Sequence, residues 1–179
     1  ACGERELSSY HAVDVTQQLG RADFHLTDFN GKPRSLADFK GKVVVVFFGY
    51  THCPEVCPTT LAELAKVMRM LGKDADRVQV LFVTVDPERD RPELLAKFVP
   101  FFYPSFLGLY GDARATAQAA KAFGVGYEKQ YYKKGGYTLL HSVGTFLVGT
   151  KGQPLLLSSY GQHDELLVQD IRLLLAADR

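Results

Sequence analysis

Two cysteines, Cys53 and Cys57, stand four residues apart in the run Gly49-Tyr50-Thr51-His52-Cys53-Pro54-Glu55-Val56-Cys57-Pro58. A separation of four is one helical turn, so both sulfurs can face the same way. Such a pair can close a disulfide, or its thiolates can share one soft metal ion. Buried free cysteine is common in cores. Two cysteines flanked by prolines, between a strand-like run and a helix-like segment, are nevertheless poorly placed for inert packing. Pro58 suits a first helical turn. The unpaired N–H groups and partial positive charge of a helix N-terminus stabilise a thiolate, so at least one of the two sulfurs is expected to have a lowered pKa.

The donor count narrows the metal. Two thiolates favour Cu(I) or zinc. An iron–sulfur cluster usually takes four cysteines, and this chain has three. A structural zinc site usually takes four protein ligands. Two sulfurs and one imidazole suit copper better, because Cu(I) tolerates low coordination and Cu(II) can add a water or a weak fourth donor. The imidazole must come from His11, His25, His52, His141 or His163. His11 lies in the N-terminal stretch, His25 in an alternating strand and His163 at a helix start. The His52 ring is expected to point away from the shared sulfur face, and His141 stands just before a strand. A lone histidine in such a place is more often a packed residue than a ligand, so residue type and spacing leave this choice open.

The elements that must position these groups are readable from periodicity. Val43 to Phe48 is a continuous β-branched and aromatic run, the pattern of a strand buried on both faces. Leu61, Leu64, Ala65, Met68 and Leu71 recur at three and four, which predicts a helix ending at Gly72. Val78 to Val85 predicts a second buried strand, stopped by Asp86-Pro87. Helices are expected over Pro92 to Phe102, Thr116 to Phe123 and His163 to Ala177. Strands are expected over Val125 to Tyr132 and Tyr137 to Ser142, joined by the turn Lys133-Lys134-Gly135-Gly136, then over Thr145 to Val148 and Leu155 to Ser159. Phe24 to Phe29 followed by Asn30-Gly31 signals a hairpin. Strands alternating with helices imply an α/β domain with a central sheet and helices on both faces.

The 179 residues fit one domain. A net charge of +1 with interleaved signs carries no electrostatic footprint for nucleic acid. No apolar run approaches the roughly 20 residues of a membrane-spanning helix. Residues 1–20 carry little apolar periodicity and read as a flexible tether, with the folded domain over 21–179. Within that tether, Ala1-Cys2-Gly3 looks like the processed start of a bacterial lipoprotein, with Cys2 the acylation candidate.

Three segments, in order, closely resemble the signatures of the Sco/SenC family: Phe48 to Thr59, Val85-Asp86-Pro87-Glu88-Arg89-Asp90-Arg91-Pro92-Glu93, and His141-Ser142 before a strand. The resemblance runs from about Ala22 to the C-terminal helix. It implies a thioredoxin-like fold with an inserted β-hairpin that carries the histidine. It implies one copper ion per chain, Cu(I) or Cu(II), on Cys53, Cys57 and His141. It further implies a monomer facing the bacterial periplasm or cell exterior, tethered to the membrane by the lipid on Cys2 alone. Its client would be cytochrome c oxidase subunit II, whose dinuclear copper (CuA) site it would supply with copper or keep reduced. A periplasmic copper donor and a thioredoxin-like reductant would be further partners. Asp86 matches the family's aspartate after the second strand, as a hydrogen-bond acceptor behind the ligands or a partner-facing charge. Its plain alternative is a turn residue. Leu140 stands where many relatives have aspartate, and Gly149-Thr150 where Asp-Pro is common.

Two other activities are compatible with a thioredoxin-like chain. A thiol:disulfide oxidoreductase would use Cys53 and Cys57 as a redox pair. The spacing is longer than Cys-x-x-Cys, and Gly144-Thr145 stands where thioredoxins carry a substrate-docking proline, so its client range would be narrow. A peroxiredoxin-like peroxidase fits least, because Thr51 lies only two residues before Cys53.

Overall fold

A computed structural model describes residues 9–142 and 144–177. In chain order its strands are β1 (Val13–Asp14), β2 (Leu26–Asp28), β3 (Pro33–Arg34), β4 (Val43–Gly49), β5 (Val78–Thr84), β6 (Leu107–Tyr110), β7 (Tyr127–Tyr131), β8 (Tyr137–His141), β9 (Thr145–Val148) and β10 (Pro154–Ser158). The α-helices are α1 (Thr16–Leu19), α2 (Val56–Leu71), α3 (Pro92–Phe102), α4 (Ala113–Ala122) and α5 (Asp164–Ala176), with 3-10 turns at Leu36–Phe39 and Gly72–Arg77.

The apolar run Val43–Gly49 becomes the central strand, buried at every position. It pairs in parallel with β5 and antiparallel with β9, and eight strands line up as β1-β10-β9-β4-β5-β6-β2-β3. Strands β4, β5 and β6 step across the sheet in one direction through α2 and α3. Right-handed crossovers then place both helices on the same face. Phe47, Phe82 and Phe98 stack there in sequence, with ring centroids 6.0 Å apart at each step. α5 packs against α2. On the opposite face Phe123, just beyond α4, packs on Phe48 and Phe146. α2 turns Leu61, Leu64, Ala65, Val67, Met68 and Leu71 inward, and burying each of the larger ones contributes about 1.5–3 kcal/mol. The helix ends at Gly72, whose φ of 57° a β-carbon would disfavour.

The N-terminal stretch joins the sheet ahead of residue 21. Val13–Asp14 pairs with β10, Ala12 is buried, and the amides of His11 and Ala12 both donate to the Asp170 carboxylate at 2.8 Å. Two residues are too few to show a period, so this pairing rests on tertiary contact. β6 was equally silent in the sequence, with Gly108 in its middle. The hairpin β7–β8 forms a separate two-stranded sheet inserted between α4 and β9.

Candidate metal centre

β4 delivers the chain to the site. A β-carbon added at Gly49 would lie 2.9 Å from Cys57 Sγ and 3.0 Å from the rings of Phe47 and Phe82. The absent side chain at Gly49 is therefore the space the sulfur fills. The following loop turns through Tyr50–Cys53, and Asp90 holds it there. This buried carboxylate accepts the amide of Thr51 at 3.0 Å and the hydroxyls of Thr51 and Thr84. Burial pushes the Asp90 pKa up, and the hydrogen bonds from Thr51 and Thr84 only partly oppose this. Helix α2 then begins at Val56. Its N-cap residue Glu55 makes no side-chain cap, and Cys53 Sγ accepts the Cys57 amide at 3.4 Å instead. A sulfur thus occupies the position where helix ends attract negative charge.

His141 arrives from the end of β8. Its Nε2 stands 3.8 Å from Cys57 Sγ, and the donor atoms of Cys53, Cys57 and His141 lie within 4.8 Å of one another. His141 Nδ1 is 3.0 Å from the Ser142 carbonyl, an acceptor only. The proton therefore sits on Nδ1, and the Nε2 lone pair faces the sulfurs. Burial lowers the His141 pKa, although the Ser142 carbonyl works in the other direction, so the ring is held neutral, as a metal ligand must be. Cys57 behaves otherwise than expected from its place at a helix start. Burial pushes its thiol pKa strongly up, with the Cys53 thiol and the Asp90 charge adding to this against the Tyr50 backbone. Residue 57 is completely buried, and desolvation of the anion outweighs the helix end. Two buried sulfurs and a neutral imidazole with a free lone pair fit a soft monovalent or borderline divalent cation.

The other predicted residues sort differently. His52 is half exposed and faces Asp90, its Nδ1 4.0 Å from the carboxylate. With Asp86 it completes a second group of possible ligands. Those two carboxylates already engage Arg89, Tyr137, Thr51 and Thr84, so this is an ion-pair and hydrogen-bond network. Asp86 is 2% exposed and presents no charge to a partner. It accepts from Arg89 Nε and, at 2.6 Å, from the Tyr137 hydroxyl, joining the loop after β5 to the histidine hairpin. Its carbonyl also accepts the amides of Arg89 and Asp90 in a tight turn. His11 packs on Gln169, and His163 is the N-cap residue of α5, so neither approaches the sulfurs. Cys2 lies outside the described residues. Sequence reasoning missed Tyr50, Asp90, Arg89 and Tyr137 as supports. A polar residue beside a motif gives no sign of whether it points inward.

Comparison with known proteins places this arrangement. The chain is 40% identical over 142 residues to the human mitochondrial SCO2 homolog, covering 75% of this chain and 52% of that protein. It spans about half to two thirds of the length of the first vertebrate relatives it matches. A structure of Bradyrhizobium japonicum ScoI with copper bound superposes with a TM-score of 0.77 at 39% identity, covering 84% of this chain and 96% of that one. The apo Sco1 protein of Thermus thermophilus superposes at 0.75 with 44% identity, over 85% and 88% of the two chains. The fold is therefore the thioredoxin-like one of these proteins, its central mixed sheet flanked by helices and its hairpin inserted before β9. Residues 14–176 match the SCO1/SenC family model, and with nearly the whole domain inside that match the chain belongs to the SCO1/SenC family.

Proposed function

We propose that this protein is a copper carrier of cytochrome c oxidase assembly. One copper ion sits on Cys53, Cys57 and His141, for delivery to the CuA site of subunit II. The observation that carries this reading is the meeting of two sulfurs and one imidazole nitrogen within 4.8 Å. Copper is cargo here. Two thiolates hold it against the core, and an incoming thiolate from the recipient can displace the imidazole of the hairpin without dismantling the core. Cys2, by its sequence context, would carry the lipid that tethers the domain to the membrane, facing the bacterial periplasm or the cell exterior.

A second reading is favoured by the unequal exposure of the thiols, 8% for Cys53 and 0% for Cys57. In it, the Cys53 thiolate attacks a client disulfide and Cys57 resolves the mixed disulfide. The client gains two electrons and two protons, a Cys53–Cys57 disulfide forms, and a thioredoxin-like reductant restores the dithiol. The raised Cys57 pKa suits a resolving thiol better than an attacking one.

Anaerobic titration with Cu(I) and with Cu(II), followed through sulfur-to-metal charge transfer, tests the first reading. One equivalent bound per reduced chain is expected, and none per chain oxidised to the disulfide. A Cys57→Ala variant that keeps one tightly held copper would sink the assignment. The pair's reduction potential, measured with and without copper, separates the second reading.

A further inference from the structure

We propose that the Tyr50 hydroxyl is a positioning residue for His141. It clamps the outer edge of β8 to the cysteine loop and so keeps the imidazole beside the sulfurs. This rests on the reading of Cys53, Cys57 and His141 as a copper site.

The register of the hairpin makes the case. The Tyr132 amide donates to the Gly136 carbonyl at 3.0 Å and the Ser142 amide to Gly126 at 2.9 Å, in line with the pairings Gln130↔Thr138 and Glu128↔Leu140. Hydrogen-bonded and non-bonded pairs alternate in an antiparallel ladder. The ladder bonds of β8 therefore fall on its even-numbered residues, and the main-chain groups of Tyr137 and Leu139 point away from β7. Among the described residues no strand lies on that side, since the sheet has two strands. Leu139 is 5% exposed, and main-chain groups buried in this way need partners.

Side chains supply them. Arg89 Nη1 donates to the Tyr137 carbonyl at 2.8 Å. The Tyr50 hydroxyl donates to the Leu139 carbonyl at 3.2 Å and accepts the Leu139 amide at 3.4 Å, with Thr138 Oγ1 at 3.0 Å. Tyr50 is itself buried, three residues before Cys53 on the same loop. Its ring stands edge-on to the His141 ring, with centroids 5.6 Å apart and an interplanar angle of 82°. One side chain thus touches both halves of the site. Arg89 grips β8 two pairs further from His141 and belongs to the Asp86 network. Tyr50→Phe would keep the ring and its packing while leaving both main-chain groups of Leu139 without that partner.

Two measurements test this. In the metal-free protein, amide hydrogen exchange over residues 137–142 should quicken in Tyr50→Phe. Unchanged exchange there would overturn the clamp. In the copper-loaded protein, release of Cu(I) to excess bathocuproine disulfonate is timed in wild type, Tyr50→Phe, His141→Ala and the double variant. Tyr50→Phe should release copper about five- to tenfold faster, the size of one neutral hydrogen bond lost. It should add nothing in the His141→Ala background, because the hydroxyl then has no ligand to position. Equal acceleration in both backgrounds would place its action on the sulfurs or on general stability and overturn the proposal, as would unchanged release in Tyr50→Phe alone. Release from His141→Ala at the wild-type rate would remove His141 from the copper site and the proposal with it. The exchange measurement then still reports whether the clamp exists, so the two failures are distinguishable.

Discussion

The sulfurs and the imidazole reach one point from regions of opposite character. Cys57 lies in the first turn of a helix whose inward face is solid with leucine and methionine, behind a strand buried at all seven positions. His141 lies at the end of a hairpin in which β7 buries no residue and β8 buries only Leu139. Tyr131 is 74% exposed and Leu140 51%. Hydrogen bonds and one guanidinium stacked 3.8 Å above the Tyr137 ring hold the hairpin to the domain. Regions with few buried apolar contacts open at lower free energy than the core. The difference teaches that two donors are fixed with the fold while the third can leave without unfolding it. The proposed carrier role calls for that division: holding by the core, release through the arm.

Removing a donor from each region is the strongest way to break the comparison. Cys57→Ala should abolish tight binding of either copper valence. His141→Ala should abolish the Cu(II) charge-transfer spectrum but leave Cu(I) on the two sulfurs, since Cu(I) accepts low coordination. Parallel anaerobic titrations of the two variants check this. Equal loss of Cu(I) in both would mean that the imidazole is as indispensable as the core sulfurs.

Protonation sharpens the same contrast. Burial raises the Cys57 pKa and lowers that of His141. Near neutral pH the histidine is already a free base, whereas Cys57 must lose a proton to bind metal. Copper affinity should therefore climb with pH, by about tenfold per unit for each thiol proton displaced. Competition titrations from about pH 6 to about pH 8 measure the slope in the wild-type protein. A flat profile would remove Cys57 from the ligand set.

The two regions were also unequally legible. Val43–Val46 and the heptad-like spacing of Leu61, Leu64 and Met68 carry strong periods, so β4 and α2 could be read directly, and β9 and α3 match their expected spans. The hairpin showed only as two strand-like runs around Gly135-Gly136. The sequence's own residues left His141 among five candidates, and only the family resemblance singled it out. What seats that histidine is written in Tyr50, Arg89 and Tyr137. Their partners lie 48 to 89 positions away, and no local pattern encodes such pairings. The raised Cys57 pKa was missed for a related reason. A helix start is visible in sequence, while the depth of the side chain is set by Gly49, Phe47 and Phe82 around it.

Gly49→Ala tests how rigid the sulfur side is. The new methyl meets Cys57 Sγ and two aromatic rings at or inside 3.0 Å, and none of these can swing clear within the core. Overpacking of this kind costs about 1–3 kcal/mol. Thermal melting should register that loss, and the Cu(II) charge-transfer band should shift because the sulfur is displaced. A variant with wild-type stability and spectrum would mean that the core yields as readily as the arm.

The smallest expected effect separates two hairpins that are pinned alike. At the far edge of the sheet, Asp28 accepts Arg34 Nε at 2.9 Å and the amides of Asn30 and Lys32 at 2.8 and 3.1 Å, closing β2 onto β3. Burial alone would push the Asp28 pKa up, but Arg34 and the two amides prevail and hold it below the ordinary carboxylate value. A depressed pKa means that this stabilisation is present above the unfolded-state pKa and is lost as pH falls through the folded one. Asp28→Asn should therefore cost about 1–2 kcal/mol near neutrality, with the melting difference from wild type shrinking below about pH 4. Copper release should not change, because β2 lies three strands away from β4, towards the far edge of the sheet. Asp86→Asn removes the same kind of arginine pin from β8 and should quicken both exchange over residues 137–142 and copper release. If the two variants alter copper release equally, the difference between the hairpins is not one of position relative to the site, and the detachable arm loses its special standing.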